Sequence, residues 1–395
     1  MDTSQETTEK KYTVLLSTEA SDMTAGAAYS FMELAIWLEN NSEYHVVAVL
    51  KKRGDLYERL SSNGIDVYVI PQRRKWLKYL DDRHVWKKNI IKELIRGVLI
   101  PVDMLRLRRL FKKIKIDIVH MNGLTSGMCA EVALDKGVPI VWHVREFLEE
   151  DLQVTFENRE RAVEVINRAN HIIAVSEAVR KKYKNVFRPQ IDVVYNGFNI
   201  SKVCHENESD DGIFRICLLG RIFRGKGQLE LVRAVGLLPE ADREKCEVHF
   251  IGYEKDKEYL NELRDEIDKY NIKDKVYFHG YISNAYEVIR NYNCICVCST
   301  MEAFGRTTVE GMLNGCVVIG ADTGGTNEII VDKETGLIYE HGNAGDLAQK
   351  ISFCINNHEA YKRIANNGSQ YAQKTFSLDE TCKKIVGIYD QYVIK

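Results

Sequence analysis

The sequence predicts an α/β protein made of two Rossmann-like domains, on three observations. Short β-rich runs alternate with helix-length stretches along the chain, an acidic aperiodic segment interrupts the alternation near its middle, and 395 residues suffice for two domains of ordinary size. Apolar residues make up 45% and charged residues 28%, with 5 Pro and no low-complexity tract, which excludes disordered and fibrous classes.

The first domain is expected over residues 1–203. YTVLLS from Tyr12 reads as a strand, followed by a helix from about Ala25 to Glu39, then strands HVVAVL from His45 and DVYVI from Asp66. After a basic stretch the rhythm resumes with IDIVHM from Ile116, PIVWHV from Pro139, HIIAV from His171 and IDVVYN from Ile191. CHENESDDG at 204–212 is polar, acidic and without period, so the linker is placed there. The second domain, 204–376, is expected to use IFRICLLG from Ile213, CEVHFIG from Cys246, KVYFHG from Lys275, NCICVC from Asn293 and CVVIGA from Cys316. Two such halves leave a cleft at the carboxyl ends of their sheets. Residues 377–395 have the apolar spacing of an amphipathic helix (Ile385, Ile388, Tyr389, Tyr392), with a return to the first domain one course open to it.

The first ten residues are polar, with no apolar run behind them, and no stretch approaches the ~20 apolar residues of a spanning helix. The ten Cys are therefore expected to be reduced thiols in a cytoplasmic protein. Cys294, Cys296 and Cys298 share one face of an apolar strand without the spacing of a metal site, and read as buried thiols.

Two segments carry chemistry. Gly220 to Gly227 (GRIFRGKG) lies between an expected strand and an expected helix, where phosphates bind in such sheets, and Arg221 and Lys226 could neutralise a diphosphate. A solvated turn is the bland alternative. Glu302 to Glu310 (EAFGRTTVE) places one carboxylate on a loop and one on a helix beginning near Gly305. Acids so placed can accept hydrogen bonds from sugar hydroxyls and from a ribose diol, although a cap and a solvated acid would look the same.

Together with Gly324-Gly325-Thr326-Asn327-Glu328, VSEAVRKKY, VVYNGFN and VWHVREF, these segments resemble the retaining GT-B glycosyltransferases of family 4, along nearly the whole chain. The resemblance implies that Arg221 and Lys226 bind the donor diphosphate and that Glu302 and Glu310 bind the donor sugar and ribose. It implies further that the backbone of Ala303, Phe304 and Gly305 lines the sugar and phosphate, and that Gly280 and Tyr281 meet the base. His143 matches the histidine that faces the donor sugar across the cleft, and so joins Glu302, Arg221 and Lys226 as a catalytic candidate. The family's first glycine loop survives as the single Gly26, a candidate acceptor or phosphate contact.

No D-x-D triplet occurs, so no metal and no cofactor are expected, with Arg221 and Lys226 supplying the positive charge. The reaction so implied is retaining transfer from a nucleotide-diphosphate sugar, a UDP-sugar favoured, to a hydroxyl of a glycan or lipid-linked acceptor in bacterial surface-polysaccharide assembly. With no evident carboxylate nucleophile, front-face transfer is the expected course. A retaining glycosidase built on the two glutamates, a GT-B-fold sugar-nucleotide epimerase and a non-catalytic membrane-docking partner stay open as alternatives.

Charge is unevenly spread. Residues 72–116 hold 15 Lys and Arg against four acids, a local +11 in a chain of net −2. Arg73, Arg74, Lys75, Trp76, Trp86, Lys87 and Lys88 mix cations with aromatics, the pattern of an interfacial helix that docks an acceptor or an anionic membrane; a solvated helix face is the alternative. Peripheral attachment to the inner face of the plasma membrane follows as an option, whereas nucleic acid is not an expected partner.

Overall fold

The computed structural model describes residues 10–80, 90–200, 211–254, 256–282 and 285–394. They form two compact units, Met1–Phe198 with Leu378–Lys395, and Asn199–Ser377. The divisions fall at 198/199 and 377/378, beside the expected 203/204 and 376/377; residues 201–210, which hold most of the expected linker, lie outside the described residues.

The first unit is built on a seven-stranded parallel sheet. Its nine strands are β1 (Tyr12–Thr18), β2 (Tyr44–Leu50), β3 (Asp66–Val69), β4 (Leu77–Tyr79), β5 (Ile118–Asn122), β6 (Ile140–Val144), β7 (Val154–Phe156), β8 (His171–Ala174) and β9 (Ile191–Val193). The order is β3-β2-β1-β5-β6-β8-β9, and β4 pairs separately with β7 in an antiparallel ribbon. Because helices cover both faces, the central strands are apolar without alternation: Val14, Leu15 and Leu16 of β1 are all fully buried.

The terminal helix Leu378–Val393 completes this unit rather than the second. Cys382, Ile385, Ile388 and Tyr389 enter the core beside Phe31, Leu34 and Tyr44 of the first helix and second strand. Three polar ties fix its register: Leu378 N–H donates to Phe198 O at 3.0 Å, Thr381 Oγ1 to Tyr195 O at 3.1 Å, and Tyr44 Oη to Asp390 at 2.7 Å. Deeper still, Tyr389 Oη meets His120 Nδ1 at 2.7 Å.

The second unit holds β10 (Phe214–Leu219), β11 (Cys246–Ile251), β12 (Val276–Phe278), β13 (Cys294–Val297), β14 (Val317–Ala321) and β15 (Leu337–Tyr339). All six are parallel, in the order β12-β11-β10-β13-β14-β15. Chain direction across the sheet reverses between β10 and β13, where Ile216 pairs with Cys294, so a crevice opens at their carboxyl ends. Cys294, Cys296 and Cys298 are core residues there, and burial pushes the Cys294 thiol up to about 11. Three strands are absent from the sequence expectation: β4, β7 and β15, each three residues long and too short to show a period.

The Tyr389–His120 contact gives a test. Removing the hydroxyl in Tyr389→Phe leaves His120 with both ring nitrogens unpartnered in a dry core, since Nε2 already lacks a partner among the described residues. Urea unfolding is expected to show a loss of about 1–3 kcal/mol.

Candidate functional site

The crevice of the second unit is made by three loops that follow β10, β13 and β14. After β10, Gly220 turns the chain, and a 3-10 turn at Arg224–Lys226 ends in Gly227, whose φ of 73° also opens the helix Gln228–Gly236. A Cβ on Gly227 would lie 2.1 Å from Cys298 O, so only glycine lets this turn rest on the end of β13. Thr300 N–H donates to Gly225 O at 3.1 Å across the same contact.

The loop after β14 repeats the device. A Cβ on Gly324 would lie 2.3 Å from Glu302 O, and one on Gly325 2.3 Å from Phe304 O. Gly325 N–H donates to Glu302 O at 2.8 Å and Thr323 Oγ1 donates to Ser299 O at 2.8 Å. Glu302 is thus gripped by its backbone from one side while its side chain projects to the other.

That side chain forms an ion pair with Lys226 and accepts from Ser299 Oγ at 2.6 Å. Burial works to raise the Glu302 pKa, but Lys226, Ser299 and Arg221 outweigh it and hold the carboxyl below its ordinary range. Glu302 is therefore an ionised acceptor and not a proton donor. Arg221 is exposed, with its guanidinium 4.9 Å over the Phe223 ring, while buried Gln228 donates from Nε2 to Arg221 O at 2.9 Å. The loop's other arginine, Arg224, turns away to Glu262 at 2.6 Å and has a structural role.

Gly305, with φ 99°, precedes the helix Arg306–Leu313, and Glu310 on that helix pairs with Arg306 at 3.3 Å. Thr308 and Thr326 hydroxyls beside Gly305 are buried and lack hydrogen-bond partners among the described residues, leaving polar capacity at the helix start. Ala303 and Phe304 are buried, Phe304 lying edge-on to Phe376 at 5.8 Å. Gly280 gives its carbonyl to Gly252 N–H at 2.8 Å, and Tyr281, 40% exposed, stacks on Tyr253 with ring centres 4.4 Å apart. Among the described residues, no three His, Cys, Asp or Glu side chains come together as a metal-binding group.

Sequence reasoning thus names residues that the structure brings together: Lys226 meets Glu302 with Arg221 nearby, and Ala303, Phe304 and Gly305 continue the same loop into the helix that carries Glu310. It misses Ser299, Thr323 and Gln228. Ser299-x-x-Glu302 has the spacing of a capping box, a signal that could have linked the two residues.

His143 and Gly26 belong to the first unit. Gly26 is exposed at the start of the helix Gly26–Asn41, whose N-cap position is Ala25. His143, the last residue but one of β6, lies in a buried polar cluster in which Arg145 reaches Asn122 at 2.5 Å, Asn196 at 2.5 Å and His143 Nδ1 at 3.1 Å. Guanidinium has only donors, so Nδ1 accepts and the neutral ring carries its proton on Nε2, which has no partner among the described residues. Burial, then Arg145 and His120, push the His143 pKa well down; burial also lowers His120 to about 3 and raises Glu146 to about 7.

The docking residues need correction. Trp76 is 7% exposed: its indole N–H donates to Leu124 O at 2.9 Å, and its ring lies on Gly127 and stacks on Trp142 at 6.4 Å. A ring that finds both a carbonyl and an apolar seat does not stay on the surface. Arg73 pairs with Asp103 at 2.6 Å, Arg74 with Glu131 and Lys75 with Glu157 at 2.9 Å, so their charges are compensated within the fold. The local element is strand β4, paired with β7, and not a helix. Trp86, Lys87 and Lys88 lie outside the described residues.

Comparison with known proteins bears on the fold and the family. A family model described as Glycosyl transferases group 1 covers residues 203–371, and one described as Glycosyltransferase Family 4 covers residues 54–202. The chain belongs to the group 1, family 4 glycosyltransferases of GT-B fold, and it is a glycosyltransferase. An uncharacterised glycosyltransferase of Methanocaldococcus jannaschii is 23% identical over 357 residues, covering 88% of this chain and 90% of its own. The capsular polysaccharide biosynthesis glycosyltransferase CapM of Staphylococcus aureus is 23% identical, with 90% of this chain and 98% of CapM covered. Among solved structures, Anabaena HepE in complex with UDP and glucose superposes with a TM-score of 0.79 at 20% identity, over 96% of this chain and all of HepE (100%).

Two outcomes test the site's construction. Gly227→Ala combines an unfavourable φ with a clash against Cys298 O, and is expected to lower stability by about 1–3 kcal/mol in urea titration, whereas Gly387→Ala, in open space, should not. In the first unit, the unfolded chain binds protons on His120 and His143 below pH ~6.5 that the folded chain excludes, while folded Glu146 binds one that the unfolded chain lacks. The two histidines outweigh the one carboxyl, so stability should fall by up to about 1.4 kcal/mol as pH drops from about 6 to 5, read from urea midpoints.

Proposed function

We propose that this chain transfers a sugar, with retention and without a metal ion, from a nucleoside-diphosphate donor, UDP-sugar by preference, to a hydroxyl of a glycan or lipid-linked acceptor in bacterial surface-polysaccharide assembly. The observation that carries the reading is the half-buried Lys226–Glu302–Ser299 contact with Arg221 beside it, at the reversal point of a parallel sheet. CapM, named for capsular polysaccharide biosynthesis, and HepE, solved with UDP and glucose, support the choice of product and donor.

In this reading the roles follow from charge. Ionised Glu302 accepts hydrogen bonds from sugar hydroxyls. Lys226 has three N–H donors, so its ammonium can take a diphosphate oxygen while keeping Glu302. Arg221 offers a planar fork to the same diphosphate. Glu310 takes the ribose diol, and the exposed Tyr281 ring, already stacked on Tyr253, offers the base a flat face.

The step itself is front-face displacement. The bond from the anomeric carbon to the diphosphate breaks with its electron pair on the phosphate oxygen, where Lys226 and Arg221 stabilise it. The acceptor hydroxyl oxygen bonds to the same face of that carbon, and its proton passes to the departing phosphate oxygen.

Calorimetric titration with UDP tests the assignment. Arg221→Ala and Lys226→Ala are each expected to weaken binding at least about tenfold, the loss of one charge-assisted contact. Unchanged affinity in both would remove the diphosphate site, and turnover of a nucleotide sugar into a different one without acceptor would favour an epimerase.

A further inference from the structure

We propose that His249 and His279, at the edge of the second unit's sheet, bind one divalent transition-metal ion of tetragonal preference, Cu2+ or Ni2+. The inference is independent of the donor crevice, and the ion takes no part in the transfer step.

Strand register builds the pair. His249 on β11 lies opposite Tyr277 on β12, the edge strand, and His279 follows Tyr277 by two residues, so all three belong to one face. The His249 ring stacks on Tyr277 at 4.9 Å and 17° and on His279 at 5.2 Å and 13°, while Tyr292 meets it at 5.1 Å, tilted by 57°. The backbone of the second histidine is held too: His279 N–H donates to Phe250 O at 2.9 Å, and the next residue, Gly280, accepts from Gly252 N–H at 2.8 Å. Both rings thus ride on paired backbone, which spares an incoming ion much of the cost of ordering its ligands.

Distance selects the ion. His249 Nδ1 and His279 Nε2 stand 2.9 Å apart. Two imidazole nitrogens at right angles, each ~2.0–2.1 Å from one ion, are separated by about 2.9 Å, whereas a tetrahedral ion sets them about 3.3 Å apart. Cu2+ and Ni2+, which favour the right angle, therefore take both nitrogens with the strands where they are, and water fills their other positions. Among the described residues no third His, Cys, Asp or Glu joins the pair, so the site suits an exchangeable ion rather than a structural one.

The surroundings favour a cation. Glu247, two residues before His249 on β11, places Oε2 3.5 Å from His249 Nε2, which draws the ring proton to that nitrogen and leaves Nδ1 as a bare lone pair. Arg215, on the neighbouring strand β10, is spent on Asp211 at 2.5 Å and on Glu247 at 3.2 Å. Two carboxylates against one guanidinium leave a surplus of negative charge beside the rings. His279 is exposed, so water can partner the proton that its Nδ1 carries once Nε2 takes the ion.

Metal titration of the untagged full chain tests the proposal. Near pH ~7.5, above the ordinary histidine pKa, calorimetry with Ni2+ is expected to show one saturable ion per chain. Cu2+ added below one equivalent should give an electron paramagnetic resonance spectrum split by two nitrogens. His279→Gln, at an exposed position, and His249→Phe, which keeps an aromatic ring in the stack, are each expected to weaken Ni2+ binding at least about tenfold. His358→Gln, at an exposed histidine on the helix His358–Thr375, should bind as wild type does. Equal melting temperatures without metal would show that the variants fold. A wild-type chain that takes up no Ni2+ saturably overturns the proposal. So do His279→Gln and His249→Phe chains that bind like wild type, or a copper spectrum split by a single nitrogen.

Discussion

Backbone resting on backbone is the constraint on which the second unit's crevice depends. Gly227 sits against Cys298 O, Gly324 and Gly325 against the chain at Glu302 and Phe304, and Gly252 against Gly220 O, each at a distance that no side chain could share. These contacts draw together the loops after β10, β13 and β14, which their strands alone would leave as separate turns. A side chain on any of these glycines would move the loop that carries Arg221 and Lys226, or the one that carries Glu302.

Once the loops are fixed, electrostatics follow from proximity. Lys226 comes from the first loop and Glu302 from the second, so their ion pair ties one loop to the other as well as setting the carboxylate's charge. Ser299 adds a donor from one turn away, and the net effect is an ionised Glu302 in spite of its burial. A crevice that combines a held carboxylate with two nearby cations suits a ligand having hydroxyls at one end and phosphates at the other. The charge pattern of the crevice is thus a property of three loops, and the sheet's role is to aim them.

The first unit handles buried charge differently. Arg145, without surface exposure to speak of, spends its donors on Asn122, Asn196 and His143, while Glu146 takes backbone N–H groups from Leu124 and Arg145. Satisfied polar groups of this kind make the ends of β5 and β6 stiff, and they keep both His120 and His143 neutral. The terminal helix closes the cluster from outside through Tyr389, so the last eighteen residues of the chain, Leu378–Lys395, belong to the architecture of the first.

How much of this is legible in the sequence depends on range. Strand runs such as YTVLLS and CVVIGA are apolar because a parallel sheet covered on both faces demands it, and the GRIFRGKG and EAFGRTTVE segments announce themselves by residue type and by position after a strand. Those local requirements determine the α/β class, the two sheets and most of the crevice residues. Trp76 shows the limit: among lysines and arginines it reads as a surface aromatic, yet it stacks on Trp142, and the partner that buries it lies far along the chain. Likewise the exposed stripe of Ile95, Val98, Val102 and Leu105 on the helix Ile90–Lys113 cannot be told from a core stripe until the fold shows which side of the helix is covered. Which cations are compensated and which stay exposed, that Lys226 meets Glu302, and where the last helix packs were decided by tertiary structure alone, because each turns on a contact between residues that sequence spacing does not relate.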